Sequence, residues 1–102
     1  MTIGRFYKQP AETLDYDIEF SEFLADGDTL VTTGDPAVPV PLDVTVVPSG
    51  LMLGPTVVIN GTRVKQWLSG GTNGVSYKIT LTLTSNAGRV KQVEFVVRVK
   101  DE

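Results

Sequence analysis

The sequence predicts an all-β domain, an immunoglobulin-like β-sandwich of about seven short antiparallel strands. Three observations lead there. Apolar side chains recur at every second position in segment after segment, the period of a half-buried strand. Glycine, proline and an asparagine–glycine pair punctuate those segments at short intervals. No stretch of ten residues or more carries the 3.6-residue period of a helix. With 102 residues and 41% hydrophobic composition, the chain has room for one domain and enough apolar surface for a core without staples.

Taken in order, residues 1–14 show no sustained period and carry Arg5, Lys8, Gln9, Pro10 and Glu12. They are expected to form a flexible N-terminal arm, with the sandwich spanning 15–102. An arm of this kind is suited to ordering on a neighbouring subunit, which makes Arg5, Phe6, Tyr7 and Lys8 the candidate partner-binding residues. Deletion of residues 1–13 is expected to leave the fold intact but weaken assembly with that neighbour. The first strand follows, where Tyr16, Ile18 and Phe20 alternate with Asp15, Asp17 and Glu19. Ser21 to Leu24 fits one helical turn closed by Gly27. Asp28 to Thr33 reads as a second strand, stopped by Gly34-Asp35-Pro36. Pro36, Pro39 and Pro41 lack the amide proton a central ladder needs, so residues 34–41 are expected as a loop or frayed edge.

Leu42, Val44 and Val46 alternate with Asp43 and Thr45 as a third strand, ended by Pro48-Ser49-Gly50. Thr56 to Ile59 and Arg63 to Leu68 form a hairpin across Asn60-Gly61, a pair suited to the positive φ angles of a type I′ turn. A two-residue loop sets Ile59 opposite Thr62 and Val57 opposite Val64. In the last hairpin Tyr77, Ile79, Leu81 and Leu83 point one way and Lys78, Thr80, Thr82 and Thr84 the other. Ser85-Asn86-Ala87-Gly88 makes the turn, and Val93, Phe95, Val97 and Val99 give the returning strand its inner face.

Charge and composition narrow the function. The net charge of −3 offers no broad positive field, so neither nucleic acid nor an anionic membrane is an expected partner. Arg89, Lys91, Arg98 and Lys100 read as a solvated face. There is no cysteine and no histidine, which removes thiolate chemistry and the commonest general base and metal ligand. Residues 1–10 have no apolar signal-peptide core, so synthesis and folding in the cytoplasm are expected.

Candidate chemistry has a plainer reading at each place. Asp26, Asp28 and Asp35 offer clustered oxygens for calcium, yet their spacing fits no calcium loop and suits turns better. A serine nucleophile would need lysine as its base, and no Ser-x-x-Lys occurs. No catalytic, cofactor or metal residues are therefore assigned, and no enzymatic activity or cofactor is expected. Asn60-Gly61-Thr62 matches a glycosylation acceptor but is read as the hairpin turn. Trp67 is expected in the core, as sandwiches commonly use a tryptophan. Gly70-Gly71-Thr72-Asn73-Gly74 lacks the lysine and following helix of a phosphate loop. It is read as a tight passage into Tyr77, whose hydroxyl bonds back to that loop in the manner of a tyrosine corner. Trp67, Gly70, Gly71, Gly74 and Tyr77 are thus structural candidates.

Three pieces of the chain stand out: Lys8-Gln9-Pro10 with Leu14-Asp15-Tyr16-Asp17-Ile18, then Phe23-Leu24-Ala25-Asp26-Gly27-Asp28-Thr29-Leu30, and Trp67-Leu68-Ser69-Gly70-Gly71-Thr72-Asn73-Gly74 through Tyr77, continued by Thr84-Ser85-Asn86-Ala87-Gly88-Arg89. With the last of them the most specific, they resemble a family of small tailed-phage and prophage structural proteins encoded among head and neck assembly genes. The chain departs from the pattern at Phe20, where tryptophan is common, and at Gly34-Asp35-Pro36, where an aromatic is usual. The resemblance implies a virion location and a structural or assembly role, as capsid decoration or head–tail accessory. Other virion proteins, capsid or neck subunits or further copies of the chain, are the implied partners. The alternative from another class is a β-sandwich module binding a host-surface glycan or receptor, with Phe6, Tyr7 and Trp67 as the aromatics available to it.

Overall fold

The computed structural model describes residues 2–24, 26–34, 37–40 and 43–100. The expectations placed on Ala25, Asp35, Pro36, Pro41 and Leu42 lie outside the described residues. Nine strands follow in order: β1 (Thr2–Lys8), β2 (Thr13–Glu19), β3 (Thr32–Thr33), β4 (Val38–Pro39), β5 (Asp43–Val47), β6 (Leu51–Ile59), β7 (Arg63–Gly70), β8 (Ser76–Thr84) and β9 (Val90–Val99). The all-β expectation holds among the described residues. Ser21 to Leu24 is a hydrogen-bonded turn, with Phe23 N–H on Phe20 C=O at 2.9 Å, and does not extend into a helix.

The strands form sheets ordered β1-β9-β8-β5 and β2-β7-β6, with β3 and β4 as a separate short ladder. Pairing in register explains the core. Tyr77 lies opposite Val97, Ile79 opposite Phe95 and Leu81 opposite Val93, so the inner rows of the last hairpin stack side by side. In the smaller sheet Ile18 lies opposite Val64 and Leu14 opposite Leu68. These rows bury one shared core from both sheets, and Tyr16 of β2 meets Phe95 of β9 at 5.7 Å between ring centroids. Each large apolar side chain sealed in this way contributes about 1.5–3 kcal/mol relative to exposure.

Within the first 14 residues, Thr2–Lys8 form β1 rather than a free arm. β1 pairs with β9, and in parallel, with Phe6 opposite Val97 and Lys8 opposite Val99; this also corrects the all-antiparallel expectation. The described inward positions of β1 are Gly4, Phe6 and Lys8. A glycine and a lysine in that row hide the two-residue apolar period.

The stretch 28–33 is a strand only at Thr32–Thr33. The backbone before it laces the two sheets together at one end: Leu30 N–H donates to Gly61 C=O and Val31 N–H to Thr84 C=O, both at 2.9 Å. At the hairpin, Asn60 and Gly61 take the positive φ angles expected, 54° and 75°. The register is one residue off the expected one, with Ile59 opposite Arg63 and Val58 opposite Val64. Thr62 joins the loop because its carbonyl is taken by Phe20 N–H at 2.8 Å. The shift turns Val58 and Val64 inward.

Candidate partner-contact surfaces

At the end of the molecule near Gly70 the glycine-rich passage, Tyr77 and the N-terminal strand form one connected structure. Thr72 N–H donates to the Tyr77 hydroxyl at 2.8 Å. Gly74 N–H donates to Val99 C=O at 2.7 Å. Gly71 lies so close to the last strand that a Cβ there would fall 2.6 Å from Val99 Cγ2, at a φ of +100° that only glycine adopts easily. Gly70 contributes its carbonyl, which accepts from Lys8 Nζ at 2.6 Å.

Lys8 was a candidate for partner binding, and the structure places it elsewhere. Its side chain is 2% exposed, and its ammonium also donates to Gln9 C=O at 2.8 Å and Pro10 C=O at 3.4 Å. Three carbonyls use its three protons, so the group fastens β1 to the passage at Gly70. Burial lowers its pKa, with the charge of Glu12 acting in the opposite sense. Phe6 is partly committed too, with its ring 5.1 Å from Tyr16 and 5.9 Å from Phe95. Arg5 and Tyr7 point outward. Tyr7 is 72% exposed and lines, with Lys8, Gln9, Glu12 and Lys100, an open recess of about 200 Å³.

Trp67 is not in the core. It sits half-buried on the outer face of the smaller sheet, opposite Asp15 of β2. The alternation of β7 buries Val64, Gln66 and Leu68 and so sends Trp67 outward. Opposite it, β6 carries a bulge: Gly54 and Pro55 together face this one residue, between the Leu53–Leu68 and Thr56–Gln66 pairs. A Cβ on Gly54 would approach Trp67 Cβ to 2.7 Å. The fully buried Gln66 stitches the bulge, accepting from the Thr56 hydroxyl and donating to Gly54 C=O at 3.1 Å and Trp67 C=O at 3.0 Å. Sequence parity was the available signal for Gln66, since Val64 and Leu68 flank it at spacing two.

At the opposite end Asp28, first weighed as a calcium ligand, acts as a turn hub. Its side chain is 5% exposed. Thr29 N–H and Ala87 N–H donate to Oδ1 at 3.0 and 3.1 Å, and Arg89 Nη1 lies 3.6 Å from Oδ2. The Ser85 hydroxyl, these amides and the Arg89 charge hold the carboxyl below the ordinary aspartate range despite burial. Asn86 Nδ2 adds bonds to Thr29 C=O at 3.1 Å and Thr29 Oγ1 at 2.8 Å. The cations near the last hairpin are partly engaged: Arg89 on Asp28, and Lys91 over the Phe23 ring at 4.5 Å.

Among the described residues no group of three or more acidic side chains gathers as a cation site, and no helix is long and apolar enough to cross a membrane. Of the buried polar groups, Lys8 serves a strand end, Gln66 a bulge and Asp28 a turn, while Tyr7, Val47, Met52 and Val90 stand exposed. Fold and surface together define a small all-β structural domain whose distinctive outward features are strand edges and isolated apolar side chains. Residues 8–98 match the family described as podophage GP4 fiber-tail adaptor protein gp77, and the chain belongs to that family of phage structural proteins. Membership places the protein in the virion and implies contact with other virion proteins. No curated protein matches the chain.

Proposed function

We propose that this chain is a non-catalytic adaptor joining fiber and tail components of a podophage particle through protein–protein contacts. The observation that carries the reading is the family match over residues 8–98, from the end of β1 to the penultimate residue of β9. Such a span takes in both sheets. The family description favours the tail side of the particle over capsid decoration or the neck. A partner fits this surface better than a substrate does, because the buried polar groups of Lys8, Gln66 and Asp28 are spent on the fold.

The same reading makes the domain immunoglobulin-like. Its support is topological: β2-β7-β6 has the B-E-D order and β5-β8-β9 the C-F-G order of that fold. Tyr77, near the start of the penultimate strand, accepts its bond from the loop five residues upstream. The glycan-binding alternative has less to stand on, since Phe6 packs against Tyr16 and Phe95 while Trp67 lies on the outer face of the other sheet. Particles assembled without this chain should have tails deficient in fiber protein, as read by mass spectrometry of purified virions. Full fiber content in its absence would refute the adaptor role.

A further inference from the structure

An unpaired sheet edge recruits other strands unless something guards it. Four outer strands are at issue here: β1 and β5 in the larger sheet, β2 and β6 in the smaller. β6 is partly covered, because Val58 N–H beyond the bulge donates to Ala37 C=O at 2.8 Å. β2 carries the exposed carboxylates Asp15, Asp17 and Glu19. β1 carries Arg5 outward and ends at the buried charge of Lys8, just before Pro10. Each of these is a recognised guard.

Among the described residues β5 carries the fewest of them along its length. Its five residues, Asp43-Val44-Thr45-Val46-Val47, include one charge, at the first position. Its ladder with β8 runs without a register shift, so no bulge twists the edge away. Val44 and Val46 are half-buried against the core, and Val47 is 60% exposed on the outer face.

We infer that the free edge of β5 is the docking site for an extended segment of a partner virion protein, which adds a strand beside it. This deepens the adaptor reading above and rests on it. Regularly spaced backbone donors and acceptors recognise another extended chain, and alternating side chains set the specificity. On one face the guest's apolar residues complete the cover over Val44 and Val46. On the other they lie beside Thr45 and Val47. Pro48 ends the strand and limits the guest to a short pairing. The small contact selects a flexible segment over a second copy. Edge-to-edge pairing of two such short strands covers roughly a few hundred Å², well below the ~1,000 Å² of a specific interface. A segment whose parent protein is already held in the particle meets the edge at high effective concentration.

The test replaces the chain by T45K/V47K, which puts guarding lysines on exposed positions, and counts copies per purified particle by mass spectrometry. Glu22→Lys, in an exposed turn, makes the same change in net charge and serves as the control. With melting curves unchanged, T45K/V47K should incorporate at least about tenfold less than the control. A photo-crosslinker at Val47 should capture a peptide from another virion protein. Normal incorporation of T45K/V47K, or a crosslink only to a second copy of the chain, would overturn the edge assignment while leaving the adaptor reading standing. Absence of the unmodified chain from particles would remove both.

Discussion

Two tyrosine hydroxyls sit in this domain under opposite conditions. That of Tyr77 accepts the Thr72 amide, whereas that of Tyr16 is buried with no hydrogen-bond partner among the described residues. Removing a satisfied hydroxyl costs about 1 kcal/mol, while removing an unsatisfied buried one is neutral or favourable. Tyr77→Phe should therefore lower the thermal midpoint by about 4–8 °C, and Tyr16→Phe should leave it unchanged or raise it; thermal melts of the two variants compare them directly. Asp28 supplies a pH dependence. Its folded carboxyl is held below its usual value of 3.8, so its contribution is present above that value and drains away as pH falls through the lower folded one. Urea midpoints should fall in that acid range for the parent, and Asp28→Asn should flatten this part of the profile. The Tyr77 bond was legible from glycine-rich spacing ahead of a strand. The role of Asp28 was not, because its partners Ser85, Ala87 and Arg89 are far along the chain and meet it only through the fold.

At the scale of elements, alternation made the last hairpin readable, since both faces of β8 and β9 obey it. It failed where a strand's inner row is not apolar. β1 presents Gly4, Phe6 and Lys8 inward, and its lysine is held by three carbonyls, one of them 62 residues away. β7 shows the converse, in that Gln66 takes a core position and Trp67 goes outside, against the usual preference of both side chains. Residues 28–31 failed for a third reason: their backbone bonds are divided among the Gly61 turn, Thr84 at the end of β8, Asn86 in the turn after it, and Val40, so no single ladder extends the strand. Because β1 covers Val97 and Val99 and holds the Gly70 passage, its deletion should not leave the fold untouched. Loss of residues 2–8 should destabilise the domain by about 3 kcal/mol or more, chiefly from uncovered apolar surface and the lost Phe6 packing. Urea denaturation measures this, and an unchanged midpoint would return those residues to the status of an arm.

On the scale of the whole molecule, two sheets close over one core and are laced at both ends, by Lys8 and Tyr77 at one and by Asp28 and Leu30 at the other. The surface left over has few converging polar groups and, among the described residues, one lightly guarded edge at β5, a profile that suits a part other parts bind. Sequence alone reached the all-β class and, by resemblance, the virion setting. The proposed tail-side placement rests on neither periodicity nor charge, because a site for proteins is written in exposed edges and outward side chains that leave no motif. The proposed adaptor role is tested most directly by counting fiber protein per purified particle in virions assembled with and without this chain. The account predicts complete tails that lack most of their fiber protein when the chain is missing. Equal fiber counts in the two preparations would contradict it.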